Sequence, residues 1–307
     1  MAITAPKLWL DGALVDASSA GVPLMGHAAQ RGSLVFDVGA FHATARGPAL
    51  FRPRDHARRF LRSTRIVGLE ASVTEEELVD AAVEVVATNG ATEGLVRWSA
   101  FFAAAESDLI PRSSAARVAV AAQLLQDPPR SAPLSVATFE DARKAGPSAL
   151  PPDAKAAAAY LGPMLARRRA IAAGADEVVL LDDEGFIAEG PIANAFCVIG
   201  GTLWTPPLGR ILPGITRDTV LTLARAEGIP VREEPLARAA FVSADEAFLS
   251  GTSLPLAPIG VIDGRALPAP GPVTARLLEL TLAARRGARD EWSVYIRDRQ
   301  NAIASSR

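Results

Sequence analysis

One cysteine, three histidines and three lysines occur among 307 residues, and each scarcity excludes something. Cys197 alone cannot form an intramolecular disulfide, so a reducing, cytoplasmic setting is expected. Neither can it build a cysteine metal site. His27, His42 and His56 lack the paired helical spacing and flanking carboxylates of a metal centre, and none is expected. The formal net charge is only -2, from interspersed acids and arginines with no basic tract, which argues against a nucleic-acid partner. Nowhere does an apolar run reach membrane-spanning length, and the opening MAITAPKLWLDG has no basic stretch followed by an apolar core. Neither a membrane span nor a signal peptide is expected.

What is there starts with the lysines. Lys7, Lys144 and Lys155 are three of 32 basic side chains, the others all being arginine. Lys155 stands just before four alanines in PPDAKAAAAYLGPM. A lysine amine can lose its proton when desolvated and attack a carbonyl carbon, which a guanidinium does not do. A lysine at a helix start also simply reaches solvent, so other segments must decide between the two.

The length exceeds what one core usually holds, about 250 to 300 residues, and two domains are expected. Asp11-Gly12 between LWL and ALV predicts an opening hairpin. Thr74, with Glu77 three positions on and Gly90 as the stop, predicts a capped amphipathic helix. Strand-like runs follow at 94–102 and 116–124. QDPPRSAP then marks a boundary, giving domains 1–124 and 134–307 with 125–133 as linker. The second half restarts with LSVATF and enters a helical pattern from Ala156 to Ala173, closed by Gly174, which puts Lys155 at a loop-to-helix junction. Short strands such as EVVLLD, AFCVIG and EAFLSG surround a helix with Thr216 as N-cap and Gly228 as stop. The pattern is α+β with mainly meandering sheets.

Several segments could carry chemistry, and each has an ordinary structural reading beside it, a turn at 251–253 and a solvated helix face around Arg59 among them. ILPGITRD, residues 211–218, leads into a helix, so the Ile215 and Thr216 backbone donors face a positive dipole end that can hold a phosphate; an ordinary capped helix reads the same way. Glu189 in AEGPIANAF lies between apolar FIA and a Gly-Pro turn, where a partly desolvated carboxylate can pair with a protonated heterocyclic nitrogen or simply face solvent. GTS, residues 251–253, offers a hydroxyl and backbone donors in a bend. Arg59 lies in the arginine-rich DHARRFLRST. Arg97 sits inside the apolar run VRWSAFFAAA, which calls for an anionic partner, either a substrate carboxylate or an internal acid.

Together and in this order, AEG with AF four residues later, LPGITRD, ADEAF with SGT, and KAxxxYL resemble the signatures of fold-type IV pyridoxal-phosphate enzymes, the class-IV aminotransferases, and most closely the branched-chain amino-acid aminotransferases. The resemblance spans nearly the whole chain. It implies a two-domain fold like that of D-amino-acid aminotransferases, with a small α/β domain, a larger pseudo-barrel domain and the pyridoxal 5'-phosphate between them. It implies Lys155 as the catalytic base that carries the cofactor, Tyr160 on the phenolic oxygen, and Glu189 on the ring nitrogen. Arg59, Ile215, Thr216 and Thr252 would form the phosphate cradle, with Leu212 on the ring and Asn194 close by. Arg31, Phe36, Leu95, Arg97, Trp98 and Ser253 would line the substrate side. An amino donor and a 2-oxo acid acceptor would react in a ping-pong cycle, in a homodimer or a higher homo-oligomer.

Departures cluster on the substrate side. Arg31 and Leu95 stand where the branched-chain group usually has tyrosines, Trp98 where proline is usual, and VFDVGAF replaces the typical acidic-glycine segment. Arg31 and Val38 also resemble features of D-amino-acid and (R)-amine transaminases. A lyase acting on aminodeoxychorismate, or a non-catalytic scaffold, would share the same fold.

Overall fold

In the computed structural model, which describes residues 2–106, 108–125 and 132–305, Asp11 and Gly12 form the two-residue turn joining β1 (Ala2–Leu10) to β2 (Ala13–Asp16). Both have positive φ, as this tight hairpin requires. The chain divides into two compact units. The first runs from the N-terminus through β6 and adds Ala154–Ala158 and the chain from Ala283 onward.

Its elements are the five-residue α1 (His27–Arg31), β3 (Val35–Thr44), β4 (Gly47–Phe51), α2 (Pro53–Val67), α3 (Glu75–Thr88), β5 (Gly94–Phe102) and β6 (Ala116–Leu125). The sheet order is β2-β1-β6-β5-β3-β4, with a late strand, Ser293–Tyr295, on the β4 edge. Thr74 caps α3 through a reciprocal capping box with Glu77. Leu78, Val79, Ala82, Val83, Val85 and Val86 on that helix are fully buried, in one cluster with Phe41, Phe60, Val96 and Trp98. Each such large side chain contributes about 1.5–3 kcal/mol through removal from water.

The expected domain limit at 134 needs correction at the C-terminus. Ser293, Val294 and Tyr295 pair with Phe51, Leu50 and Ala49, closing an otherwise open strand edge of the first sheet. Arg299 in the following helix, Ile296–Ser305, bonds Asp80 at 2.6 Å and Glu76 at 2.8 Å on α3. The expected linker falls largely on residues 126–131, outside the described residues.

The second unit contains β7 (Leu134–Arg143), α4 (Leu161–Ala172), β8 (Glu177–Leu181), β9 (Asn194–Ile199), β10 (Thr202–Thr205), α5 (Ile215–Ala226), β11 (Val231–Glu233), β12 (Glu246–Ser250) and β13 (Ala257–Ile262). Strand order is β11-β10-β9-β12-β13-β7-β8. The pairs β10–β11, β13–β7 and β7–β8 are parallel, so this sheet is more mixed than a meander. Among the described residues, no helix is long and apolar enough to cross a membrane.

Candidate active site

β3 and β5 pair antiparallel with Phe36 opposite Ser99, Asp37 opposite Trp98, Val38 opposite Arg97 and Ala40 opposite Leu95. Directly opposed residues point to the same side and neighbours alternate. Phe36, Val38, Ala40, Leu95 and Arg97 therefore share one face, while Asp37, Gly39, Val96 and Trp98 occupy the other.

Lys155 joins the first face through its backbone. Its carbonyl accepts the Phe36 N–H at 3.0 Å, and Val35 forms an antiparallel bridge with Ala156. The Lys155 N–H donates to Ser63 Oγ on α2 at 3.0 Å, and that hydroxyl in turn donates to the Arg59 carbonyl. The Lys155 Nζ lies 5.0 Å from the Phe36 ring centroid, and the Arg97 guanidinium carbon lies 4.8 Å from the same centroid. Helix does not begin at Ala156 as the periodicity suggested. The Ala157 and Ala158 N–H groups are taken by the Leu34 and Gly32 carbonyls, and α4 begins only at Leu161 after a short 3-10 turn ending at Tyr160.

On the opposite face, fully buried Asp37 holds Arg59 through two nitrogens, at 2.7 and 2.8 Å, and meets His56 Nδ1 at 2.8 Å. Burial alone would raise the Asp37 carboxyl, but the Arg59 charge and the hydrogen bonds from Arg59 and His56 outweigh it and hold it well below the usual carboxylate range. An ionised carboxylate only accepts, so Nδ1 of His56 carries the proton. Burial pushes the His56 imidazole below its ordinary value even beside Asp37, leaving it neutral near pH 7. Gly39 makes room for this arrangement: a Cβ there would come within 2.9 Å of the Trp98 ring.

The second unit gathers a different set. Glu189 ends a strand-like segment whose carbonyl accepts from Leu180 N, and the tight turn closed by Gly190 N–H to Ala193 O brings Asn194 back beside it. Asn194 Nδ2 donates to Glu189 Oε2 at 2.9 Å and to the Leu212 carbonyl at 3.1 Å, while Leu212 N–H reaches both carboxylate oxygens at 3.2–3.3 Å. Lys144 Nζ makes a close ion pair with Glu189 Oε1. Immediately after Leu212 and Pro213 comes Gly214, the N-cap of α5. A Cβ at Gly214 would lie 1.9 Å from Asn194 Oδ1, so only a bare backbone threads this corner. The N-cap is Gly214 and not Thr216, which falls with Ile215 in the first turn; both are buried.

A primary amine, a buttressed carboxylate, an arginine fixed by a buried acid and a glycine-led helix start are thus all formed. A family model for amino-transferase class IV matches residues 35–262. The chain belongs to the class IV aminotransferases. It is 32% identical over 300 residues to the branched-chain-amino-acid aminotransferase of Escherichia coli K12, covering 94% of this chain and 96% of that one. The solved branched-chain aminotransferase of Thermoproteus uzoniensis with norvaline superposes with a TM-score of 0.91 at 36% identity, covering 95% and 99% of the two chains. The branched-chain amino acid aminotransferase of Thermobaculum terrenum in its PLP-form gives 0.87 at 27%, covering 95% and 99%.

This class IV aminotransferase uses pyridoxal 5'-phosphate, and its residues fit that group. The cofactor needs an amine for its aldehyde, an anion for its ring nitrogen, and cationic and backbone donors for its phosphate. Gly214, which no side chain can replace without striking Asn194, leads into the start of α5, a helix N-terminus whose dipole suits such a phosphate. Burial pushes the Cys197 thiol up to about 12, so it is no nucleophile. Among the described residues no cluster of metal-ligating side chains forms.

Of the substrate-side residues expected from sequence, Phe36, Leu95 and Arg97 come together on one face. Trp98 does not. It is fully buried, its indole N–H donates to the Leu78 carbonyl at 3.0 Å, and its ring stacks on His56, because strand alternation turns it away from Arg97. Arg31 is exposed at the end of α1, with its guanidinium on the Gln30 carbonyl. Thr252 is half-buried and Ser253 exposed in the bend after β12. Sequence inspection missed Asp37, His56, Ser63 and Lys144. Asp37 carried a usable signal, a charge inside the apolar VFDVGAF, the same signal that singled out Arg97. Ser63 carried none.

Proposed function

We propose that this aminotransferase exchanges the amino group between a branched-chain L-amino acid and 2-oxoglutarate. The observation that carries this reading is the apolar face of Phe36, Val38, Ala40 and Leu95 with the Arg97 guanidinium over Phe36. An aliphatic side chain suits such a surface in one half-reaction, and the distal carboxylate of glutamate or 2-oxoglutarate suits Arg97 in the other. The similarity to proteins named as branched-chain aminotransferases supports the same choice.

When bound, pyridoxal 5'-phosphate supplies the electron sink conjugated to the substrate α-carbon. Lys155 contributes the amine that holds the cofactor and moves the proton at the substrate α-carbon. Its position is set by Ser63 and Phe36 through the backbone, which leaves the side chain to do the chemistry. The Tyr160 hydroxyl would meet the phenolic oxygen. Glu189, aimed by Asn194 and the Leu212 amide, would take the ring nitrogen, with Leu212 against the ring. Arg59, Thr252 and the Ile215 and Thr216 backbone would hold the phosphate. Arg31 and Ser253 complete the substrate side, with Trp98 supporting the strand from behind. The enzyme works as a cytoplasmic homodimer, supported by the buried lone Cys197 and by apolar Leu24, Met25, Leu109 and Ile110, all more than half exposed on the single chain.

Single half-reactions test this. L-leucine and L-glutamate should each discharge the visible absorbance of the cofactor-loaded protein, while D-alanine and (R)-1-phenylethylamine should not. Discharge by the latter pair alone would overturn the substrate assignment.

A further inference from the structure

Glu189 has a partner that the functional reading leaves unused. The Lys144 ammonium lies against Oε1, the Asn194 amide donates to Oε2, and the Leu212 amide spans both oxygens. The Lys144 and Glu189 side chains are only 15% and 12% exposed. A carboxylate so removed from water needs a counter-ion, and within the second unit Lys144 is one. Its backbone N–H is fixed on the Leu181 carbonyl at 2.8 Å, so the amine is aimed from the end of β7 across β8. Two other arginines of this unit, Arg143 and Arg210, are engaged elsewhere. Arg143 donates to the Asp182 and Asp183 carbonyls, and Arg210 pairs with Asp182, Asp183 and Glu184.

We propose that Lys144 is a positioning residue that neutralises Glu189 before the cofactor arrives and competes with the ring nitrogen for it afterwards, so that this lysine sets how firmly the ring holds its proton. The inference rests on the assignment of Glu189 to that nitrogen. A carboxylate has about four lone-pair sites, so two neutral donors orient it and leave room for two cations. One anion shared by an ammonium and a pyridinium leaves a net positive charge in a poorly hydrated corner, which disfavours the pyridinium. Lysine suits the role better than the arginine used almost everywhere else in this chain. Its ammonium is a compact point charge on a flexible four-carbon stem, where a guanidinium is a rigid planar fork that would grip both carboxylate oxygens.

The test uses 4-deoxypyridoxine 5'-phosphate labelled with 15N in the ring, which has the ring and phosphate but no aldehyde for Lys155. Its nitrogen shift and its affinity for the full-length apoprotein are followed against pH in wild type, Lys144→Met, Lys144→Gln and Lys144→Arg. Removing the positive charge should raise the titration midpoint of the bound ring nitrogen by about one pH unit, and tighten binding above the wild-type midpoint up to about tenfold, in both neutral variants. Lys144→Arg should stay at or below wild type. An unchanged midpoint in a folded, ligand-binding neutral variant overturns the proposal, as does a Lys144→Arg midpoint that rises with the neutral ones. Should Lys144→Met fail to fold, Lys144→Gln decides. If Glu189→Gln leaves the ring-nitrogen shift as in wild type, the assignment of Glu189 itself has failed, a result distinct from any Lys144 outcome.

Discussion

Arg59 and Asp37 grip each other through two hydrogen bonds of 2.7 and 2.8 Å, with Asp37 fully buried and Arg59 7% exposed. The arginine assigned to the cofactor phosphate is therefore locked on the sheet before any phosphate arrives. Asp37→Ala leaves a buried guanidinium without this partner and is expected to cost about 3–5 kcal/mol of stability. Urea unfolding of the apoprotein measures it. A loss under about 1 kcal/mol would mean that Arg59 relaxes to water and is not held by Asp37.

Acid should weaken the fold in stages. His56 and His42 both lie below their ordinary value of 6.5, His56 by burial and His42 pushed to about 4 by burial and by Arg285. The unfolded chain then binds protons that the folded chain refuses, so stability drops as pH falls below about 6.5, by up to about 1.4 kcal/mol per unit for each group. Asp37 works the same way lower down: its stabilisation is complete above the unfolded value near 3.8 and is lost as pH falls below it. Unfolding free energies at pH 7.5, 6 and 5 should show a shallower slope in His56→Gln and His42→Gln than in wild type. Identical slopes would contradict neutral histidines in the fold.

Arg97 and Trp98 are adjacent in sequence and opposite in consequence. Arg97→Ala should raise KM for 2-oxoglutarate at least about tenfold, the scale of a lost charge-assisted hydrogen bond, while the half-reaction with L-leucine changes little. Trp98→Ala should instead cost about 3–5 kcal/mol of stability and leave the ratio of the two KM values unchanged. A changed ratio in the tryptophan variant would restore it to the substrate side.

Ser63 touches only backbone in the Lys155 network, accepting from Lys155 N and donating to Arg59 O. Ser63→Ala strands the partly buried Lys155 N–H at a cost of about 1 kcal/mol and should lower kcat while the protein still binds cofactor. Lys155→Ala keeps both backbone bonds, so it should remain within about 1 kcal/mol of wild-type stability and yet lose transamination. Retained turnover in Lys155→Ala would remove it from the mechanism.

Gly214→Ala places a methyl 1.9 Å from Asn194 Oδ1. The corner joining Glu189, Asn194 and the start of α5 must then open, and affinity for pyridoxal 5'-phosphate should fall at least about tenfold, beyond the usual cost of overpacking, about 1–3 kcal/mol. Equilibrium dialysis with the apoprotein reads this directly. Unchanged affinity would mean that the corner is not part of the cofactor site.

Short-range physics was legible from the chain alone. The Asp11-Gly12 hairpin, the Thr74–Glu77 cap, the helix start at LPGIT and the isolated Lys155 each depend on residues within a few positions, so spacing and residue type suffice. The family signatures are local in the same sense. Tertiary structure decided what depends on parity and distance. Strand alternation sent Trp98 into the core and Arg97 to the other side, although a run of apolar neighbours hides the period. The pairing of Ser293–Tyr295 with β4 joins segments far apart in the chain, because an open sheet edge takes whatever strand the folded chain delivers. Asp37 could bury its charge only because Arg59 and His56, a turn apart on α2, were carried to it, and Lys144 found Glu189 only once β7 and β8 had paired. Buried charges are tolerated in pairs, and pairing across a fold is set by three-dimensional neighbours that sequence order does not encode.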